Sequence, residues 1–171
     1  MDSKTCKLLA QYNHLANQKM DSIIRTLSNG QWKREFAGYF KTIHQLCSHI
    51  YISDYNWLKR FGQFREFQVI KDSLFDQNLN YSSQPFDDIA EYLVKREELD
   101  KKLILFTDEL SENDLDNIIS FTNSRGEMIN KNVGASILHI FNHQTHHRGM
   151  ISLYLDMMQI DNDFSTLLPL A

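Results

Sequence analysis

The sequence predicts an all-α protein: a four-helix bundle with a long crossover between helices two and three and a small β-hairpin before the last helix. Three observations predict it. Glycine and proline number only six and two in 171 residues, which favours long uninterrupted helices over a turn-rich β fold. Apolar side chains recur at three- and four-residue spacing through four separate stretches. Between the second and third of these lies a long stretch without periodicity, as expected of a crossover connection. At this length a single domain spanning residues 1–171 is the expectation.

The first helix is read over residues 4–28, where Leu8, Leu9, Tyr12, Leu15, Ala16, Met20, Ile23, Ile24 and Leu27 keep the helical spacing. Asn29-Gly30 is read as its stop, since both residues tolerate the left-handed conformation. A second periodic run covers 34–61, through Phe36, Phe40, Ile43, Cys47, Ile50, Trp57, Leu58 and Phe61. Residues 62–85, with Asn78, Asn80, Ser82, Ser83 and Pro85, form the crossover, with room for a short helix. Helix three starts near Phe86, capped by Asp87 or Asp88, and runs through Tyr92, Arg96, Leu99 and Leu103 to about Leu110. Residues 117–131 change character and read as two short strands around a turn. The last helix runs from about Val133 to Gln159, with Gly134 and Ala135 allowing close packing, and Asp161-Asn162-Asp163 ends it. The tail from Thr166 to Ala171 is expected to pack back on the bundle.

Composition excludes several function classes. Hydrophobic content of 42% and charged content of 23% are ordinary for a soluble globular chain. The formal net charge is −4 with no basic run, so no electrostatic footprint for nucleic acid or an anionic membrane is present. No apolar segment of signal-peptide or membrane-span length occurs. Cys6 and Cys47 make no metal-type spacing and read as free thiols of a cytoplasmic protein.

The chemistry concentrates in one segment, His139-Ile-Phe-Asn-His143-Gln-Thr-His146-His147-Arg148-Gly149, which holds four of the seven histidines. On a helix, positions 139, 143 and 147 stack, drifting about 40° per step. Two imidazoles at i, i+4 can hold one metal ion because their ring nitrogens converge beyond the helix surface. His146 points about 100° from His147 and is not a fellow ligand. A bundle metal usually takes a ligand from a second helix. His14, His44 and His49 are the candidates, and helical periodicity does not choose between His44 and His49, which flank the apolar stripe of helix two.

Two enzyme templates fail. A zincin needs glutamate after its first histidine, and Gln144 stands there. Di-iron bundles need repeated Glu-x-x-His pairs, and none occurs. Walker, GxGxxG and GxSxG motifs are also missing.

The run Asn142-His143-Gln-Thr-His146-His147-Arg148-Gly149, followed by Met150-Ile151, closely resembles the last-helix motif of the DinB (damage-inducible) family of metal-binding helix bundles. Leu9-Ala-Gln-Tyr12-Asn13-His-Leu-Ala16-Asn17 is similar to that family's first helix. Thr42 to Leu58, with His49, Ile50, Asp54 and Trp57, is similar to its second. The resemblance implies a ligand triad of His49, His143 and His147. It also implies a divalent metal cofactor, a long connection between helices two and three, and a homodimer, to which the aromatic load (eleven Phe, seven Tyr, two Trp) also points.

Relatives include thiol-dependent S-transferases that use low-molecular-weight thiols. The expected function is therefore metal-dependent activation of a small thiol or water in a thiol-transferase type of reaction. The alternative is a non-catalytic metal-binding stress-response protein whose ion stabilises the bundle or dimer. Three imidazoles suit zinc or nickel. No catalytic base is assigned. Leu46, Ser53, Ile140, Met150 and Tyr12 are expected to line the pocket, His139 to neighbour the site without ligating, and Arg148 to make a structural salt bridge or cap.

Overall fold

Asp2, Thr42, Asp88 and Asn132 each turn a side-chain oxygen back onto a backbone N–H three residues on, and each opens one of the four long helices. The computed structural model describes residues 1–123 and 125–167. The long helices are α1 (Ser3–Ile24), α3 (Ile43–Phe64), α4 (Ile89–Asp108) and α6 (Val133–Met157). Two single-turn helices, α2 (Asn29–Trp32) and α5 (Glu112–Leu115), stand at the junctions. Helix α1 packs on α4 and α6, and α3 packs on α6 and α4, which closes the bundle around one apolar core. Among the described residues no helix is long and apolar enough to cross a membrane.

Strands β1 (Ile118–Thr122) and β2 (Met128–Asn132) form the expected antiparallel hairpin, with Ile119 opposite Lys131 and Phe121 opposite Ile129. Ile119 and Phe121 face inward while their neighbours are exposed, the alternation expected of a strand with one buried face. Gly126 sits at φ +80° in the turn, a conformation that a side chain would strain. Met128 and Asn132 lead straight into α6, where Gly134 lets the first turn lie against the backbone of Leu115.

Two expectations need correction. Asn29-Gly30 is not a left-handed stop. α1 ends at Ile24, and Ser28 with Gln31 makes a capping box that opens the new turn α2, so Asn29 and Gly30 are helical. The second long helix begins at Ile43, not at 34. Thr42 caps it by accepting from Gln45 N at 3.0 Å, and residues 35–41 are a loop. The spacing of Phe36, Phe40 and Ile43 is helical only by coincidence. Phe36 stacks on Tyr154 at 4.1 Å, and the Tyr154 hydroxyl donates to Phe40 O at 2.6 Å. Gly38 passes so close to that hydroxyl that a Cβ would collide with it. The crossover, where room for a short helix was expected, carries two turns of 3₁₀ helix, Gln68–Lys71 and Ser73–Asp76. The Glu109 carboxylate anchors the first by accepting from Gln68 N and Val69 N at 2.7 and 2.8 Å.

The chain just before the expected returning tail packs on the bundle, while Thr166 is exposed and Leu167 half-buried. Phe164 is buried in the core, and the Tyr12 hydroxyl donates to Ser165 O at 2.8 Å. Residues 168–171, the rest of that expectation, lie outside the described residues.

Candidate metal centre

His143 and His147 occupy successive turns of α6, and His49 faces them from the second turn of α3. Their Nε2 atoms converge. His49 Nε2 lies 2.9 Å from His143 Nε2, which lies 3.1 Å from His147 Nε2. The three form a group whose donor atoms all fall within 4.8 Å of one another. Zinc–nitrogen bonds of 2.0–2.1 Å at tetrahedral angles put ligand nitrogens about 3.3 Å apart. The geometry and the all-imidazole donor set therefore fit a divalent ion. Among the described residues no carboxylate or thiol joins the group.

The electrostatics favour neutral rings. Burial, then the neighbouring His147 and His49, pushes His143 down to about 3. Burial, then His49, pushes His147 down to about 4, and burial lowers His49 as well. Neutral imidazole is the form that ligates a metal. The Nδ1 atoms of His143 and His147 are buried without a hydrogen-bond partner.

Aromatic rings frame the group. Phe40 lies 4.5 Å from the His49 ring and meets His147 edge-on at 5.4 Å, and Tyr81 lies 5.5 Å from His49 on the crossover side. A cleft of about 440 Å³ opens beside His49 between the turn at 39–40, the face of α3 from Gln45 to Ile52, and residues 81–84. None of the pocket residues expected from the helix wheels lines it. Leu46, Ser53 and Ile140 are buried in the core, Met150 packs against that core, and Tyr12 holds the tail. One wall is a different part of the α3 face, Gln45 to Ile52, and the others come from two irregular segments that helical periodicity cannot place.

The remaining histidines are elsewhere. His44 faces Phe86 O at 3.3 Å and Trp32 at 5.5 Å, away from the triad. His14 lies 3.9 Å from Asp100, whose carboxylate raises its pKa. His139 is exposed, between Trp57 at 5.6 Å and His143 at 5.8 Å, and His146 is exposed.

Behind the triad runs a buried polar network that the sequence reading missed. Arg96 donates to Asp54 Oδ2 at 2.9 Å and to Asp100 Oδ1 at 2.6 Å. Gln144 donates to the same Asp54 oxygen. Asn17 donates to Asp100 at 3.0 Å, and Arg148 donates to Asn13 and Asn17. Burial lifts the Asp54 carboxyl above the usual carboxylate range, against the pull of Arg96. Among the described residues Arg148 makes no salt bridge of the kind expected; it donates to the Asn13 and Asn17 amides and to Thr145 Oγ1 at 3.3 Å. One signal was available: Asp54 interrupts the apolar stripe between Ile50 and Leu58, and Arg96 and Asp100 are four apart on a buried face.

With this geometry in hand, the comparisons are concordant. The model of the DinB family matches residues 1–158. Over 149 residues the chain is 24% identical to Protein DinB of Bacillus subtilis (strain 168), covering 86% of this chain and 82% of that one. The crystal structure of a DinB-like protein from Bacillus cereus ATCC 10987 shares the fold, with a TM-score of 0.61 at 15% identity, over 91% of this chain and 93% of that one.

Proposed function

Because the chain belongs to the DinB family, we propose that His49, His143 and His147 bind a divalent ion, zinc or nickel, that serves a thiol-transferase type of reaction. One observation carries this reading: three imidazole nitrogens converge on one point, one of the three rings, His49, lines an open cleft, and no fourth protein ligand joins them among the described residues. A site with three protein ligands and an open position is the arrangement of catalytic rather than structural zinc. When bound, such an ion lowers the pKa of a small thiol or of water and so supplies a nucleophile at neutral pH.

The residues of the chain do the rest. Successive turns of α6 hold His143 and His147 as a pair, and the α3–α6 packing brings up His49. Phe40 and Tyr81 shield the His49 ring from water on two sides, which strengthens electrostatic interactions at the site. The decisive experiment is elemental analysis of the purified protein together with thiol conjugation to an electrophile, with and without chelator. Stoichiometric metal and chelator-sensitive conjugation are expected. Activity that survives chelation overturns the catalytic role of the ion.

A second reading is a metal-binding protein without turnover, in which the ion pins α3 to α6. The placement of the triad between α3 and α6 favours it, since one ion shared by His49, His143 and His147 would tie those two helices together. Metal that raises the melting temperature while no thiol is conjugated would select this reading. A homodimer and a cytoplasmic location complete the proposal, and light scattering at micromolar concentration tests the first.

A further inference from the structure

The cleft beside His49 has a chemical character that narrows what can enter it. Its walls carry aromatic rings (Tyr39, Phe40, Tyr81) and uncharged polar groups, and no lysine, arginine, aspartate or glutamate lines it. Lys95, which reaches the nearby Pro85 carbonyl at 2.8 Å, is already paired with Glu91 at 2.6 Å. A carboxylate or ammonium carried into this cleft would lose water and meet no counter-ion from the protein, an unfavourable exchange.

A second, independent observation lies in the cleft wall. Ser48 is nine-tenths buried, yet its hydroxyl has no hydrogen-bond partner. A helical serine commonly bonds the carbonyl four residues back. Ser48 makes no such bond although it lies mid-helix. An unpaired buried hydroxyl is destabilising, and a ligand that pairs it, once the Ser48 side chain turns toward the cleft, recovers that cost. Two of the other polar wall groups are occupied by the protein: Gln45 accepts from Lys41 N at 2.7 Å, and Ser83 accepts from Asn80 N at 3.0 Å. Tyr81, about half exposed, and Tyr39, almost fully exposed, stand at the rim, where a flat ring could slide between them.

We propose that this cleft is the substrate-binding site of the metal centre and that it takes an uncharged, planar molecule bearing an amide or hydroxyl group, which hydrogen-bonds to Ser48 and lies against Phe40 and Tyr81. The inference rests on the proposed metal site for its place in a reaction, but the charge preference of the cleft does not need the ion. Ser48 is a positioning residue, adjacent to His49 in the chain.

The test uses three ring compounds of one shape: benzamide (neutral), benzoate (anionic) and benzylamine (cationic). Each is titrated into the full-length protein, followed by backbone amide NMR shifts, first with chelator and then loaded with zinc. The chelated arm decides the charge preference, because an ion would attract benzoate by itself. Benzamide is expected to shift amides within 39–52 and 81–84, and to bind at least about tenfold more tightly than the two charged compounds, a difference of 1.4 kcal/mol. Ser48→Ala is expected to weaken benzamide by about threefold to tenfold, and Tyr81→Ala, at a half-exposed position, by a similar factor. Equal binding of the three compounds, shifts confined to another surface, no binding of benzamide, or an unaffected Ser48→Ala would each overturn the proposal. Failure of the metal reading is a separate result: it shows as missing zinc in the loaded arm while the chelated titration stays interpretable.

Discussion

Gln144 on α6 donates its side-chain amide to the carboxylate of Asp54 on α3, and both residues are fully buried. Gln144 follows His143 in the chain, but one helical residue turns it about 100°, so it faces the core while His143 faces His49 and His147. The position that holds the general base of a zincin is therefore turned away from the metal centre here. Gln144→Glu is expected to create no hydrolase. It sets a second carboxylate against Asp54 in the core and should cost about 2–5 kcal/mol of stability, read from urea unfolding. A variant as stable as the parent would refute the placement of Gln144.

Metal content is expected to divide the histidines. His143→Ala should abolish stoichiometric metal, because its Nε2 lies within hydrogen-bond distance of both other nitrogens. His49→Ala and His147→Ala should weaken binding at least about tenfold, as loss of one of three ligands implies. His139→Ala should retain full metal, since that ring stands outside the triad on the Trp57 side. Elemental analysis after dialysis measures all four.

Arg148 should matter for stability more than for chemistry. Its buried guanidinium joins Asn13 and Asn17, and through Asn17 reaches Asp100, so that Arg148 and Arg96 balance Asp54 and Asp100. Arg148→Met leaves buried amides unpaired and one carboxylate uncompensated. A loss of about 2–4 kcal/mol is expected. Metal binding by the folded fraction should be unchanged, which differential scanning calorimetry with and without zinc would show.

Asp21 gives a pH signature. Burial, reinforced by Asp100, raises its carboxyl from 3.8 to about 7. Between those values the native state keeps a proton that the unfolded chain has released. The contribution of Asp21 to stability is therefore fully present below pH 3.8, lost as pH rises, and gone above about 7. Asp21→Asn removes this dependence and can still accept from the Tyr92 hydroxyl, 2.9 Å away. The variant should match the parent near pH 4 and melt higher at pH 8, by about 2–4 °C per kcal/mol relieved. Parallel melting curves for the two proteins at all pH values would contradict it.

Several features were legible from residue order because they depend on one element at a time. The i, i+4 pair His143 and His147 shares a helix face by local geometry, whatever the rest of the chain does. The hairpin of Ile118–Asn132 was visible as a change of period, and Asp88 as one of two short polar residues ahead of an apolar run. The resemblance to the DinB family pointed to His49. The helical wheel alone left His49 and His44 equal, because both flank one stripe.

Tertiary structure decided what depends on two or more elements. Which flank of α3 faces α6 is set by the packing of the whole bundle, and that packing turns His49 to the triad and His44 to Phe86. Phe40 and Tyr81 reach the site from segments with no period, placed by Tyr154 holding the 35–41 loop and by the path of the crossover. The partners of Asp54, Arg96, Asn17 and Arg148 come from four helices, and burial makes each of them seek the others. A helical repeat says which side of a helix is apolar. Only the assembled core says which polar groups are left without water and must find one another.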